Sequence, residues 1–179
     1  SLEEVLNLEI PCVKAFKEAE IKMLHTMWQK GLNSPLTSSV GRLFDAVASF
    51  ADILHIQSYE GETGLQIEAN YDKTIIQSYT YEIIDDKIEI SSMIKQIILE
   101  KDKKQICSKF INTLVSIVLD ISNFYKDLPI VLGGGVFQNR TFLELLINKF
   151  KEQNREFYYN KNIPLNDGGI SVGQIYHII

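Results

Sequence analysis

The chain has 179 residues, 45% of them hydrophobic and 23% charged, with a formal net charge of −5. These values fit one globular domain and exclude a disordered chain, which combines low hydrophobicity with high net charge. The acidic balance leaves only the short run Lys101–Lys104, itself interrupted by Asp102. No basic surface of the kind that releases counterions from phosphates is expected, and so no nucleic-acid partner.

Cys12 and Cys107 lie far apart, and no closely spaced Cys/His set accompanies them. Neither a zinc site nor a disulfide framework is expected within the chain, and the default compartment is the reducing cytoplasm. No apolar run is read as reaching the roughly 18–20 residues of a membrane helix, so no membrane partner is expected. The acidic N-terminus, with no basic or apolar region, does not read as a leader segment. With no initiator Met, it is read as the start of an excised domain.

In chain order, the spacing of Val13, Phe16, Met23 and Met27 predicts one long helix from about Pro11 to Gly31. The cluster NSPLTSS follows. A second helix should start at Ser38 or Ser39, whose hydroxyl can cap it. Its apolar face would be Val40, Leu43, Val47, Ala51 and Leu54, opposite Arg42, Asp45, Ser49 and Asp52. Residues 62–70 read as a short helix. Residues 73–90, rich in Ile, Tyr and Thr with an Asp85–Asp86 turn, read as one or two strands. Ser91 or Ser92 should cap a helix to about Lys101. A longer helix is expected from about Lys104 to Lys126, with Cys107, Phe110, Ile111, Leu114, Val118, Ile121 and Tyr125 on one face. Pro129 to Leu132 reads as a buried strand entering Gly133–Gly135, and a helix from Thr141 to Lys151 comes next. A second strand at 156–159, a turn cluster at 162–169 and a last helix at 170–178 complete the chain. Strand, glycine loop, helix and strand make a parallel unit. The fold class is α/β with a helical excess.

Chemistry concentrates in a few segments. In IVLGGGVFQNR, Gly133, Gly134 and Gly135 precede a helix, where bare amides and the helix's positive end can meet an anion. A tight strand-to-helix turn is the alternative. In NIPLNDGGISVG, Asp167 is either a helix cap or a carboxylate for a metal or substrate. In PLTSSVGRLFDA, Gly41 in a first helical turn costs about 0.8–1 kcal/mol against alanine, so a close neighbour or ligand should justify it. Arg42 and Asp45 can pair across one turn. His25, His55 and His177 show no ligand spacing, and spacing alone picks out no Ser/His/Asp set.

Taken in order, PLTSSVGRLFDAVAS, YEGETGLQIE, VLGGGVFQNR and PLNDGGISVGQ resemble the C-terminal part of the HypF family, carbamoyltransferases that mature [NiFe]-hydrogenases. The resemblance covers essentially the whole chain. It implies the second lobe of an actin/Hsp70/sugar-kinase-like ATPase domain of the threonylcarbamoyl-transferase type. Residues 1–179 would be one partial domain, without the family's upstream acylphosphatase-like, zinc-finger and YrdC-like domains. The implied activity forms carbamoyl-adenylate from ATP and carbamoyl phosphate. The carbamoyl group then passes to the C-terminal cysteine of HypE for cyanide-ligand synthesis. The implied nucleotide-binding residues are Ser38, Ser39, Gly41, Arg42, Asp45, Gly133, Gly134, Gly135 and Asn139, while Glu60 and Gly61 match the family's next motif block without a specific role. Asp167 would hold a divalent metal, and it is the one catalytic position carried over; zinc belongs to the upstream region. Gly133 stands where the family commonly has Ser, and Glu62–Thr63–Gly64 replaces Gln-Ala-Ala. The family's metal-binding histidine pair has no match here, so the isolated chain is expected to be inactive. The alternatives are a threonylcarbamoyl transferase acting on tRNA and a non-catalytic module that binds nucleotide or partner.

Overall fold

A computed structural model describes residues 2–178. Short helices α1 (Leu2–Leu6) and α2 (Pro11–Lys14) precede α3 (Glu18–Gln29). The single helix expected over 11–31 is therefore broken. The Glu20 carboxylate accepts the Lys17 N–H at 2.7 Å and starts α3 afresh. The apolar positions behind that expectation are not core either, for Phe16 is 49% and Met23 56% exposed.

Next come α4 (Val40–Phe50) and α5 (Glu62–Ala69), which pack against each other. Ser39 caps α4, its hydroxyl accepting the Arg42 N–H. The buried face of α4 is centred on Phe44, Val47 and Ala48. Val40, expected on that face, is exposed, and Ala51 and Leu54 lie past the helix end.

Residues 73–90 contain only a small antiparallel hairpin, β1 (Glu82–Ile84) and β2 (Lys87–Glu89). Asp85 and Asp86 both take positive φ, as a two-residue hairpin turn requires. The preceding stretch pairs with no strand among the described residues. A polar stripe of α7 (Lys103–Phe124) takes the ladder's place. Ser108 Oγ accepts the Asp72 N–H, Asn112 donates to the carbonyls of Ile75 and Gln77, and Thr113 Oγ1 accepts the Tyr79 N–H. This explains why Ser108 and Thr113 are buried in an apolar helix.

Between them, α6 (Ser91–Leu99) begins without the expected serine cap; Ile90 occupies that position. Asp102 caps α7 by accepting the Gln105 N–H. One face was expected to be buried on α7, but Ile106, Val115 and Ile117 are buried too, while Tyr125 is exposed. By length and mean hydropathy α7 is one helix able to cross a membrane, which corrects the sequence reading. Of that apolar stretch 56% is buried inside the fold, and Phe110, fully buried, meets Phe44 edge-on at 4.9 Å. Truncating Phe110 to alanine would cost about 3–5 kcal/mol.

The last third is the parallel unit expected. β3 (Ile130–Leu132), α8 (Arg140–Glu152) and β4 (Phe157–Tyr159) follow in order, and β3 pairs in parallel with β4. The strands are not buried on both faces: Val131 and Tyr158, opposite each other in the ladder, are 74% and 55% exposed. Arg155 fixes the start of this unit. Its guanidinium donates to the carbonyls of Ser122, Tyr125, Lys126 and Leu128, satisfying the end of α7 beside β4. A final helix, α9 (Ile170–Ile178), contributes no buried residue. The whole is helix-rich with two small two-stranded sheets among the described residues.

Candidate functional site

The sequence blocks that carry the chemistry are joined by hydrogen bonds. Asp45 on α4 accepts from Gln57 and from the Thr63 hydroxyl, both at 2.8 Å, and its other oxygen faces Arg42 at 3.9 Å. This ties α4 to the first turn of α5. Asn139 donates to the Gly64 carbonyl at 3.2 Å, and Glu68 accepts from Thr141, tying α5 to the start of α8. Gly134 N–H donates to the Leu165 carbonyl at 2.7 Å, tying the glycine loop to the turn that carries Asp167.

Each block owes its shape to local chemistry. Gly134 has φ +109°, a conformation that side-chain-bearing residues rarely adopt. Gly135–Gln138 then forms a 3₁₀ turn that hands over to α8. Asn139 is buried; its carbonyl oxygen accepts the Phe142 N–H while its amide holds Gly64. Both ends of that side chain are thus engaged inside the fold. The amides of Gly133, Gly135 and Val136 make no hydrogen bond among the described residues, and both glycines are exposed. The open anion-binding groups are therefore in the loop. The N-terminus of α8, expected to contribute, is largely taken: Thr141, Phe142 and Leu143 donate to Glu68 and Asn139.

The cap of the 167–169 turn is Asn166, which accepts the Gly168 N–H, so Asp167 is free of that duty and exposed. Gly169 is required by close approach, because a Cβ there would stand 2.8 Å from the Pro164 carbonyl oxygen. It is a packing glycine rather than a flexible one. Among the described residues no three His, Cys, Asp or Glu side chains group as a metal site. Asp167 thus offers one carboxylate and no ligand set.

Gly41 has no packing justification within the chain, since its missing Cβ would meet only the Ser39 hydroxyl at 3.6 Å. Ser38, Ser39, Gly41 and Arg42 are all exposed at the open end of α4. Gly61 caps α5 from a left-handed conformation, and Glu60 is exposed beside it. The extra carboxylate of Glu62 accepts the Ser58 N–H at 2.6 Å.

Sequence reasoning missed the roles of Glu68, Thr63 and Gln57, which exist only through contacts between distant segments, and the open amide of Val136, which lies in the loop itself. It also missed a local set. Ser49 Oγ lies 2.9 Å from His55 Nδ1, and His55 Nε2 lies 3.1 Å from Asp52, which also pairs with Lys103. The three-residue spacing of Ser49, Asp52 and His55 is the signal that was there to read. The set closes the C-terminal end of α4 onto the start of α7.

A sequence model of the family described as carbamoyltransferase, Kae1-like domain, second subdomain, matches residues 2–174. The chain is 32% identical over 161 residues to the carbamoyltransferase HypF of Synechocystis, covering 86% of this chain and 21% of that one. It is 30% identical over 168 residues to the probable carbamoyltransferase HypF of Methanocaldococcus jannaschii, covering 89% and 22%. The chain thus spans about a fifth of the length of these relatives. A crystal structure of full-length HypF in its phosphate- and nucleotide-bound form superposes with a TM-score of 0.84 at 32% identity, over 91% of this chain and 23% of that one. The T. kodakarensis HypF crystal structure shares the fold, with a TM-score of 0.76 at 20% identity, over 97% and 24%. With this match over nearly its whole length, the chain belongs to the carbamoyltransferase Kae1-like domain family, as its second subdomain.

Proposed function

We propose that this chain is the nucleotide-phosphate half of an ATP-dependent carbamoyl-transfer site. The supporting observation is the hydrogen-bonded chain from Asp45 to Leu165, which leaves the amides of Gly133, Gly135 and Val136 open in a glycine loop. Unpaired amides of successive loop residues can accept a phosphate, and they would hold the phosphates of ATP or of carbamoyl-adenylate. A relative solved with phosphate and nucleotide supports the same reading. The exposed end of α4, from Ser38 to Arg42, would receive the nucleoside, and Gly41's missing side chain leaves room for it.

Asp167, carried beside the loop by the Gly134–Leu165 bond, would supply one ligand to a divalent metal. The remaining ligands would come from the histidine pair that the family resemblance assigns to another segment. Such an ion polarises phosphoryl and carbonyl oxygens. This chain's own part is to hold the phosphates on the loop amides and to keep one carboxylate at their side. The acceptor thiol would come from the C-terminal cysteine of HypE, since Cys107 is buried and its thiol is pushed up to about 12 by burial. The product would be the carbamoylated thiol from which the cyanide ligand is made.

The test uses the longer protein that carries this segment, with ATP, carbamoyl phosphate and HypE. Mass spectrometry of the HypE C-terminus should show carbamoylation that depends on ATP. Complete retention of transfer after Gly135→Val, in a protein that melts normally, would overturn the phosphate assignment.

A further inference from the structure

Glu68 makes a connection that spacing does not explain. From the last turn of α5 its Oε1 accepts both the Thr141 N–H at 2.6 Å and the Thr141 hydroxyl at 2.9 Å. A helix N-terminus is ordinarily where an anion binds. Here a carboxylate of the protein itself fills that place. Asn139 takes the Phe142 amide by its side chain and the Leu143 amide by its carbonyl. In this first turn the Arg140 amide has no partner among the described residues. The Arg140 side chain, drawn to Glu144 at 2.6 Å, also feels the Glu68 charge. Removing Glu68 would therefore set the Thr141 amide free next to the Arg140 amide, with the Arg140 charge near by. These amides lie one short 3₁₀ turn beyond the open glycine amides.

We propose that Glu68 is a positioning residue, an internal anion that occupies the α8 N-terminus and so confines phosphate to the glycine loop. The proposal rests on the function proposed above. Without Glu68, two seats for phosphate lie close together, and ATP held on the wrong one cannot react. Binding of that kind lowers kcat and KM together and leaves kcat/KM near its original value. A residue that only stabilises the fold leaves KM alone and lowers kcat with the folded fraction.

The experiment compares the parent with Glu68→Ala, Glu68→Asp and Glu68→Gln in the longer protein, using ATP-dependent carbamoyl transfer, inhibition by inorganic phosphate and a thermal melt. Glu68→Ala should lower kcat and KM for ATP by about fivefold each, and inorganic phosphate should inhibit about fivefold more strongly, as an added helix-end seat for an anion implies. Glu68→Asp, which withdraws the carboxylate by a methylene, should show the same pattern more weakly and serves if the alanine variant does not fold. Glu68→Gln keeps an acceptor on Thr141 and should stay within about twofold of the parent. Unchanged KM and unchanged phosphate inhibition in folded Ala or Asp variants would overturn the proposal. A parent without ATP-dependent transfer would instead defeat the function reading. Calorimetry with inorganic phosphate then decides this inference by itself: tighter binding by Glu68→Ala supports it, and equal affinity overturns it.

Discussion

Gly134 donates its amide to the Leu165 carbonyl at 2.7 Å, and through that bond the glycine loop and the Asp167 turn form one unit. Neither residue uses a side chain for it, so no pattern of side-chain types announces it. The consequence is mechanical. A displacement of the loop carries the Asp167 turn with it, and the spacing between the open loop amides and that turn is set by a backbone bond.

Asp167 can be tested apart from the fold. It is exposed, and the turn is capped by Asn166 instead. Asp167→Asn should leave the melting temperature of the chain within about 2 °C. In the longer protein it should weaken divalent-metal binding and carbamoyl transfer, read by metal titration and by carbamoylation of HypE. Undiminished metal affinity in a normally melting variant would remove Asp167 from the site.

Gly169→Ala should behave in the opposite way. A Cβ at that position would stand 2.8 Å from the Pro164 carbonyl oxygen and 3.2 Å from an Ile163 methyl carbon. Backbone must shift, at a cost of about 1–3 kcal/mol. Urea denaturation should show a lower midpoint with an unchanged slope.

The cysteines offer a check on the core. Cys107 is fully buried on α7, with its thiol pushed up to about 12 by burial; Cys12 is half-buried and only raised. In native protein at pH 8 a thiol reagent should label Cys12 first. Cys107 should react at a rate limited by opening of the structure, rising with urea. Immediate labelling of both would contradict the packing of α7.

Asp52 links stability to pH. The hydrogen bond from His55, with the charge of Lys103, holds its carboxyl below the usual carboxylate range. A lowered value means that the folded state favours the charged form. The stabilisation is therefore present above the ordinary aspartate value of about 3.9 and is lost as pH falls through the lower folded value. Asp52→Asn should lower the urea midpoint at pH 7, and the gap from the parent should narrow below about pH 4. Asparagine tolerates the positive φ of 53° at this position, so backbone strain does not confuse the comparison.

What was legible in the sequence was local. The Ser39 cap, the parallel strand–glycine–helix–strand unit and the order of the motif blocks follow from short-range chemistry, and all appear in the structure. The failures have tertiary causes. Residues 73–81 look like strand because their composition is strand-like, yet the backbone groups of Ile75, Gln77 and Tyr79 bond to Asn112 and Thr113 on α7, as Asp72 just before them bonds to Ser108. The long helix over 11–31 fails because one carboxylate at Glu20 restarts it. The α8 N-terminus looked open because Glu68, which closes it, lies 73 residues earlier.

The adjacent glycines of the loop separate shape from chemistry. Gly134 has φ +109°, whereas Gly135 does not have a positive φ, and a Cβ on it would meet only the Asn166 Cβ at an ordinary 3.8 Å. Gly134→Ala should therefore strain the backbone by about 1–3 kcal/mol and lower the melting temperature, with activity falling as the folded fraction falls. Gly135→Ala should melt close to the parent. Its methyl group, however, would stand beside the open amides of Gly135 and Val136, where a phosphate oxygen must approach to hydrogen-bond distance. In the longer protein it should raise KM for ATP by about tenfold or more, the loss expected of one to two charge-assisted hydrogen bonds. Cleavage of carbamoyl phosphate, which the family resemblance assigns to a separate upstream domain, should continue at the parent rate. If Gly135→Ala instead left the KM for ATP unchanged while Gly134→Ala lowered stability, the loop would be a turn built for shape alone.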